Sequence, residues 1–201
     1  LMACVPADGH FNPLTGIAKQ LQSNGYDVRW YVSKEYSAKL NKLQIPHYPF
    51  NKAMELTAEN VDQAFPERNT IRNPVKKLNF DIINFFINRG SEYYADIQDI
   101  YKKFRFDLVI ADCAFSAIPF IKEKMNIPVI SIGVFPLTEK SKDLAPNGLG
   151  LTPIKGIFGK VKHRFLHLLA DHLLFRQANK VMKQVLAKEG IEINNINLFD
   201  L

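Results

Sequence analysis

The sequence predicts an α/β fold in which helices cover both faces of a doubly wound, Rossmann-like parallel sheet. Short apolar runs alternate with segments whose apolar residues recur every three or four positions, as in repeated strand–helix–strand units. Residues 107–111 (Asp-Leu-Val-Ile-Ala) are almost entirely apolar, as in a strand buried on both faces. With 201 residues, 47% of them hydrophobic, the chain is long enough for a single domain spanning 1–201.

The N-terminal segment predicts a strand, a turn and a helix. Residues 1–5 are apolar and suit a buried strand, whereas residues 6–11 contain a Pro, an Asp and a Gly that interrupt it. Asn12 is the predicted N-cap and Pro13 the first residue of the helix that follows. His10 is therefore expected at the carboxyl end of the first strand, and open α/β sheets bind ligands at that edge.

The rest of the chain continues the alternation of strands and helices. The further predicted elements are strands at 26–33, 45–49, 107–111 and 125–133, helices at 35–43 and 75–104 with a break at Gly90, a helix ending at 125, and a helix or helix pair at 157–189. Residues 51–74 are polar and broken by two prolines, so a mobile rim is expected there.

Asp112 directly follows the fourth predicted strand, which makes it a possible partner for His10. In a doubly wound sheet of order 3-2-1-4-5, strands 1 and 4 are neighbours, so their carboxyl ends place His10 and Asp112 face to face. A carboxylate on one imidazole nitrogen fixes the tautomer, and the other nitrogen can then accept a proton from a hydroxyl. Taken separately, the histidine could be an ordinary turn residue and the aspartate a helix cap.

Two other kinds of site receive little support. The first turn lacks both the GxGxxG and the GxxxxGK[ST] pattern, so a phosphate-cradling loop is not indicated. His163, His167 and Asp171 are spaced four residues apart and could face a metal ion, but Arg164 replaces the Glu of the HExxH pattern. No metal site is therefore expected.

The net charge of +6 raises the question of an anionic partner. Most basic residues are dispersed, and no nucleic-acid-binding motif is present, so binding to nucleic acid is not expected. The densest basic group lies among Phe158 and Phe165 and could form a peripheral membrane contact; it comprises Lys155, Lys160, Lys162 and Arg164.

Two stretches together resemble a known family. Asp-Gly-His-Phe-Asn-Pro-Leu at 8–14, followed by a helix and Gly-Tyr-Asp-Val, and Asp-Leu-Val-Ile-Ala-Asp-Cys-Ala-Phe at 107–115 resemble the family 1 glycosyltransferases of the GT-B fold. That family includes UDP-glycosyltransferases and macrolide glycosyltransferases. The resemblance is to their N-terminal, acceptor-binding domain, and it implies that His10 is the general base and Asp112 the residue that orients it.

The resemblance also implies a reaction and its partners. The reaction would be inverting transfer of a hexosyl group from a UDP- or TDP-sugar to a hydroxyl of an apolar small molecule, with no cofactor besides the donor substrate. The expected acceptor-binding residues lie beside His10, on the long helix that the family uses as a pocket wall, and in the loops after strands 4 and 5. They are Phe11, Asn12, Phe85, Phe86, Phe115 and Phe135.

The resembled enzymes continue into a second domain that binds the nucleotide sugar. The chain is therefore expected to be truncated, with its C-terminal domain and a few leading residues missing, and to be inactive alone. Two cysteines and the absence of a recognisable signal peptide or long apolar run predict a cytoplasmic protein. Two other classes stay open: a binding module without catalytic activity, and another nucleotide-binding α/β protein such as an oxidoreductase or epimerase.

Overall fold

The fold is a five-stranded parallel sheet with helices on both faces. The computed structural model describes residues 1–57, 60–134, 141–146 and 150–192, with the backbone alone at 171 and 172. The strands are β1 (Met2–Ala3), β2 (Trp30–Val32), β3 (His47–Pro49), β4 (Val109–Asp112) and β5 (Val129–Ile132). Their order is β3-β2-β1-β4-β5, with every neighbouring pair parallel, which confirms the predicted doubly wound topology.

Eight α-helices, several extended by a 3₁₀ or π turn, occur in the described part of the chain. They are α1 (Asp8–Ser23), α2 (Ser37–Lys42), α3 (Val61–Ala64), α4 (Pro74–Asp81), α5 (Arg89–Lys103), α6 (Ile118–Phe120), α7 (Gly156–Leu169) and α8 (Arg176–Lys188). The 3₁₀ turns are Lys34–Tyr36 and Pro66–Thr70, and the π turns are Ile82–Ile87, Ile121–Met125 and Ala170–Leu174. None of the helices in these ranges has the length and apolar character needed to cross a membrane.

Successive side chains of the strands pack alternately into two hydrophobic cores, one on each face of the sheet. Met2 and Trp30 point to the face covered by α1 and α2, whereas Ala3 and Tyr31 point to the face covered by α5, α6 and α8. Only Met2 and Ala3 pair with the neighbouring strands, so the first strand is shorter than the predicted 1–5. The residues that flank it are nevertheless buried. The apolar pattern at 1–5 thus reports burial accurately but overestimates the length of the strand.

The first helix begins earlier than the sequence predicts. The carbonyl of Ala7 already accepts hydrogen bonds from the N–H groups of His10 and Phe11, at 2.9 Å each, so the helix begins at Asp8. Asn12 is consequently not the N-cap but an exposed residue of the second turn. Pro13 lies inside the helix, where it cannot donate the usual bond one turn back.

The segment at 51–74 is more ordered than predicted. It contains α3 and a 3₁₀ turn, and Arg68 fastens it to α4 through two bonds to Asp81, Nε–Oδ1 at 2.6 Å and Nη2–Oδ2 at 2.9 Å. Phe65 packs edge-on against Phe80, with ring centroids 5.8 Å apart. Helical turns therefore occupy part of a segment in which no helix was predicted, while the expectation of a mobile rim stays a prediction.

The break in the long helical pattern precedes Gly90 rather than coinciding with it. The chain passes from α4 through the π turn into α5, and Gly90 lies in the first turn of α5. A methyl group at position 90 would lie 2.8 Å from the carbonyl oxygen of Ser116 and 3.0 Å from Cε2 of Phe120. The glycine therefore allows α5 to approach the segment between β4 and α6.

Gly90→Ala should lower the free energy of unfolding by about 1–3 kcal/mol, because the added methyl group meets backbone that must shift. Gly16→Ala in α1 is the matched control, since nothing lies within 4 Å of its added methyl group. That control should gain about 0.5–1 kcal/mol from helix propensity alone. Urea unfolding of the two variants measures both changes, and equal stability would contradict the close approach at Gly90.

Candidate active site

His10 is positioned by a sharp change of direction at the end of the first strand. Ala7 has an extended backbone (φ −144°, ψ 139°) and its N–H donates to the carbonyl of Val5 at 2.8 Å. The helix begins immediately afterwards, so His10 lies in its first turn, at the carboxyl edge of the sheet. The imidazole is 19% exposed, which gives it access to a molecule bound at this edge.

Asp112 ends the neighbouring strand and is held by backbone donors. Ala111 pairs with Ala3, so Asp112 lies next to the point where the chain leaves β1. The N–H of Val5 donates to Oδ2 and the N–H of Ala114 donates to Oδ1, both at 2.8 Å. The carboxylate is fully buried, and these bonds fix its orientation.

The structure brings His10 and Asp112 into contact, as the strand order predicts. Nδ1 of His10 lies 2.7 Å from Oδ1 of Asp112, although the residues are 102 positions apart in sequence. Because a carboxylate oxygen only accepts, Nδ1 is the donor, and the neutral ring then carries its lone pair on Nε2. The geometry is that of a base and its orienting residue, while their catalytic roles stay a prediction.

Two other protic side chains lie close to the buried carboxylate. Burial raises the pKa of the Cys4 thiol far above its usual value, and the charge of Asp112 acts in the same direction. Burial also raises the pKa of the Tyr93 hydroxyl, with Arg89 opposing and Asp112 adding to the effect. Both groups therefore stay protonated at neutral pH, and neither is a suitable base or nucleophile. Cys4 is buried and Cys113 is partly buried, and both are free thiols.

The residues expected to bind an acceptor fall into different environments. Phe11 is buried between Trp30 and Tyr36, at centroid distances of 4.7 and 4.5 Å, so it belongs to the core under α1 and does not line a cleft. Phe115 is also buried and stacks on Tyr93 at 5.0 Å. A pocket wall requires accessible surface, so the structure corrects both assignments.

The remaining expected residues are more accessible or lie elsewhere. Asn12 is exposed, two positions after His10. Phe85 and Phe86 are half-buried: Phe85 contacts the ring of Phe65 at 5.5 Å, and the carbonyl of Phe86 accepts a bond from the Ser116 hydroxyl at 2.7 Å. The latter bond connects the π turn to the loop that follows β4. Phe135 lies outside the described residues.

Sequence reasoning missed Tyr93, which is close to the candidate site. Its ring stacks on Phe115 and packs edge-on against Tyr31, and the charge of Asp112 contributes to the raised pKa of its hydroxyl. The signal was present in the sequence, because Tyr93 and Ile97 are spaced four apart on the apolar face of α5. That pattern indicated burial but did not indicate which end of the sheet the residue would reach.

The two histidines of α7 lie in different environments, and the side chain of Asp171, the third member of the predicted group, lies outside the described residues. His163 is buried, whereas Nε2 of His167 lies 3.1 Å from the carbonyl oxygen of Leu144. Within the described residues, no group of three or more His, Cys, Asp or Glu side chains is arranged to hold a metal ion.

The chain is similar in sequence to a bacterial synthase and to proteins named as UDP-glucosyltransferases. The chain is 27% identical over 191 residues to 4'-demethylrebeccamycin synthase of Lentzea aerocolonigenes, covering 95% of this chain and 45% of that enzyme. It is also 27% identical over 209 residues to UDP-glucosyltransferase 1 of Beauveria bassiana, covering 92% of this chain and 42% of the relative. The chain is thus similar in sequence to proteins that include UDP-glucosyltransferases, and it spans less than half of their length. No protein-family model matches it.

Solved glycosyltransferase structures share the fold. The glycosyltransferase of kitacinnamycin superposes with a TM-score of 0.62 at 15% identity, over 99% of this chain and 42% of that one. A Streptomyces sp. SF2575 glycosyltransferase, SsfS6, complexed with thymidine diphosphate, gives 0.58 at 14% identity, over 98% and 47%. The sheet is therefore the Rossmann-like sheet of GT-B glycosyltransferases, and the chain spans less than half the length of these proteins.

Proposed function

We propose that the chain supplies the acceptor-binding region and the general base of a glycosyltransferase. The enzyme would transfer a hexosyl group from a nucleoside diphosphate sugar to a hydroxyl of an apolar small molecule. The observation that carries this proposal is the 2.7 Å contact between Nδ1 of His10 and Asp112 at the carboxyl edge of the sheet. Relatedness to glycosyltransferases supports sugar transfer as the reaction class.

The proposed reaction is a single displacement. Nε2 of His10 accepts the proton of the acceptor hydroxyl as its oxygen forms a bond to the anomeric carbon of the sugar. The bond from that carbon to the diphosphate oxygen breaks, and the nucleoside diphosphate leaves with the electron pair. Because the nucleophile enters opposite the leaving group, the configuration at the anomeric carbon inverts. General-base assistance of this kind contributes about 10²- to 10⁴-fold to the rate.

Asp112 would act through His10 as a positioning residue. Its carboxylate holds the proton on Nδ1, so that the lone pair of the neutral ring is on Nε2, and it stabilises the imidazolium formed during the reaction. The bonds from the N–H groups of Val5 and Ala114 keep the carboxylate in place. The acceptor would lie over the exposed edge of the imidazole, near Asn12 and the half-buried Phe85 and Phe86.

The donor is inferred from the relatives. One carries UDP-glucosyltransferase in its name, and one structural neighbour was solved with thymidine diphosphate, so a UDP- or TDP-sugar is the proposed donor. A part of the enzyme outside the described residues would bind it. We also place the protein in the cytoplasm, because Cys4 and Cys113 are free thiols that suit a reducing compartment.

Asp112→Asn tests the proposal in the full product of the gene that encodes this chain. We expect kcat to fall by about 10²-fold or more with little change in the KM for the acceptor, because an amide cannot stabilise the imidazolium as a carboxylate does. Steady-state assays with a UDP- or TDP-sugar measure the two constants separately. Asp107→Asn is the matched control, since Asp107 is exposed and precedes the same strand. Unchanged kcat in Asp112→Asn, with Asp107→Asn also active, would contradict the proposed mechanism.

A further inference from the structure

An exposed apolar stripe runs along α7 and into the turn that follows. Its members recur every three or four positions, so they lie on one side of the helix. They are Ile157, Phe158, Val161, Phe165, Leu168, Leu169 and Leu173. Phe158 is 86% exposed and Ile157 is 74% exposed, values that are unusual for such large apolar side chains. From 157 to 173 the stripe is about 24 Å long at 1.5 Å per residue.

Basic side chains border this stripe. Lys160 and Arg164, one turn apart, lie along one side of it, and Lys155 and Lys162 are also exposed. A groove of about 440 Å³ separates α7 from residues 141–142. Its lining includes Lys142, Lys160, Arg164 and His167 together with the apolar Val161 and Leu168. Asp143 lies 3.9 Å from Lys160 and offsets part of this positive charge.

The positive charge of the chain is concentrated in the segment that holds α7 and α8, and half of the basic residues of that segment lie on α7 or directly before it. Residues 150–192 contain eight lysines and arginines and three acidic residues, so they carry +5 of the net +6. Basic residues are dispersed along the sequence, as predicted, but acidic residues nearly balance them over the rest of the chain. An apolar stripe bordered by excess positive charge is the combination that amphipathic helices use at membrane surfaces.

We propose that α7 docks this chain on a membrane that contains anionic phospholipids. The helix would lie in the plane of the interface, with Phe158 and Phe165 entering the acyl boundary. Lys160, Lys162 and Arg164 would meet the headgroup phosphates. A second copy of the chain fits the surface less well, because pairing two such faces would bring two regions of like charge together. The inference depends on this surface alone and not on the proposed sugar transfer.

Co-sedimentation with lipid vesicles tests the proposal. The probes are vesicles of phosphatidylcholine alone and vesicles of phosphatidylcholine mixed with phosphatidylglycerol. We expect the chain to sediment with the mixed vesicles, and to do so less at high salt because screening weakens the contact with the headgroups. Phe158→Asp should reduce the bound fraction at least about tenfold, since it places a charge on the most exposed side chain of the apolar stripe.

Charge reversal tests the second half of the surface. The triple variant Lys160→Glu, Lys162→Glu, Arg164→Glu should lose binding to the mixed vesicles. A charge-matched control with three exposed lysines replaced elsewhere, Lys42→Glu, Lys76→Glu and Lys103→Glu, should keep most of it. Circular dichroism and thermal unfolding establish that each variant is folded, which its exposed positions lead us to expect.

Three outcomes would overturn the proposal. The first is no sedimentation of the folded chain with mixed vesicles. The second is binding that Phe158→Asp leaves unchanged, because charge alone would then account for it. The third is a concentration-dependent dimer that Phe158→Asp dissociates in the absence of any vesicle binding, which would assign the surface to a second copy of the chain.

Discussion

Replacing His10 with Ala should lower the kcat of sugar transfer by about 10²- to 10⁴-fold, because the acceptor hydroxyl then loses the group that takes its proton. The acceptor KM should change much less, since the imidazole is a small part of the contact surface and is mostly buried. The measurement is a steady-state assay of the full gene product with a nucleotide sugar and a hydroxylated apolar acceptor.

The fold should survive this change. Asp112 keeps its bonds from Val5 and Ala114 when the imidazole is removed, so the edge of the sheet retains its main support. A folded His10→Gln protein is the useful companion, because an amide at this position can still donate to Asp112 but cannot carry a proton through the reaction. If either variant turned over at the wild-type rate, His10 would not be the base.

Asp96→Ala should lower the free energy of unfolding by about 3–5 kcal/mol, the largest stability effect that we expect from a single substitution in this chain. The buried carboxylate of Asp96 accepts the Tyr31 hydroxyl at 2.8 Å and the N–H groups of Asn51, Lys52 and Ala53 at 2.9, 2.8 and 3.2 Å. Removing it leaves four donors without their charged acceptor. Urea unfolding followed by circular dichroism measures the loss.

Asp99→Ala is the matched control, one turn further along α5. Asp99 pairs with Lys52 and Lys102 at the surface, and exposed pairs of this kind contribute little, so the loss of stability should be much smaller than that of Asp96→Ala. Tyr31→Phe should fall between the two, because it removes one hydroxyl and leaves the backbone bonds intact. Equal stability of Asp96→Ala and Asp99→Ala would show that the hydrogen bonds to the buried carboxylate of Asp96 do not stabilise the fold.

The sheet and the contact between His10 and Asp112 could be predicted because both follow from chain order. Short apolar runs place the strands, the usual order of a doubly wound sheet makes strands 1 and 4 neighbours, and the carboxyl ends of neighbouring parallel strands must then meet. The start of α1 could not be predicted from the Asn-Pro pair. The backbone of Ala7 adopts the capping conformation earlier, and no side-chain hydrogen bond marks that position.

The long-range hydrogen bonds of Asp96, by contrast, could not be predicted from the sequence. Asp96 lies among Tyr93, Ile97 and Ile100 on the buried face of α5, so its position signalled an unusual buried acid. The partner of that acid, the segment after β3, could be identified only from the folded chain. The burial of Phe11 and Phe115 was not predicted for a related reason. Proximity to a site along the chain does not determine which side of the backbone a ring occupies.

The hydrogen bonds from residues 51–53 to Asp96 influence where the sequence can change without loss of the fold. Together with the pairing of Arg68 and Asp81, they fix the two ends of the stretch between them to the scaffold. Because the entropy of closing a loop grows slowly with its length, insertions or exchanges within 54–67 should leave the sheet undisturbed. The stretch is thus a suitable site for grafting new loop sequences, because changes there should not alter the fold of the chain.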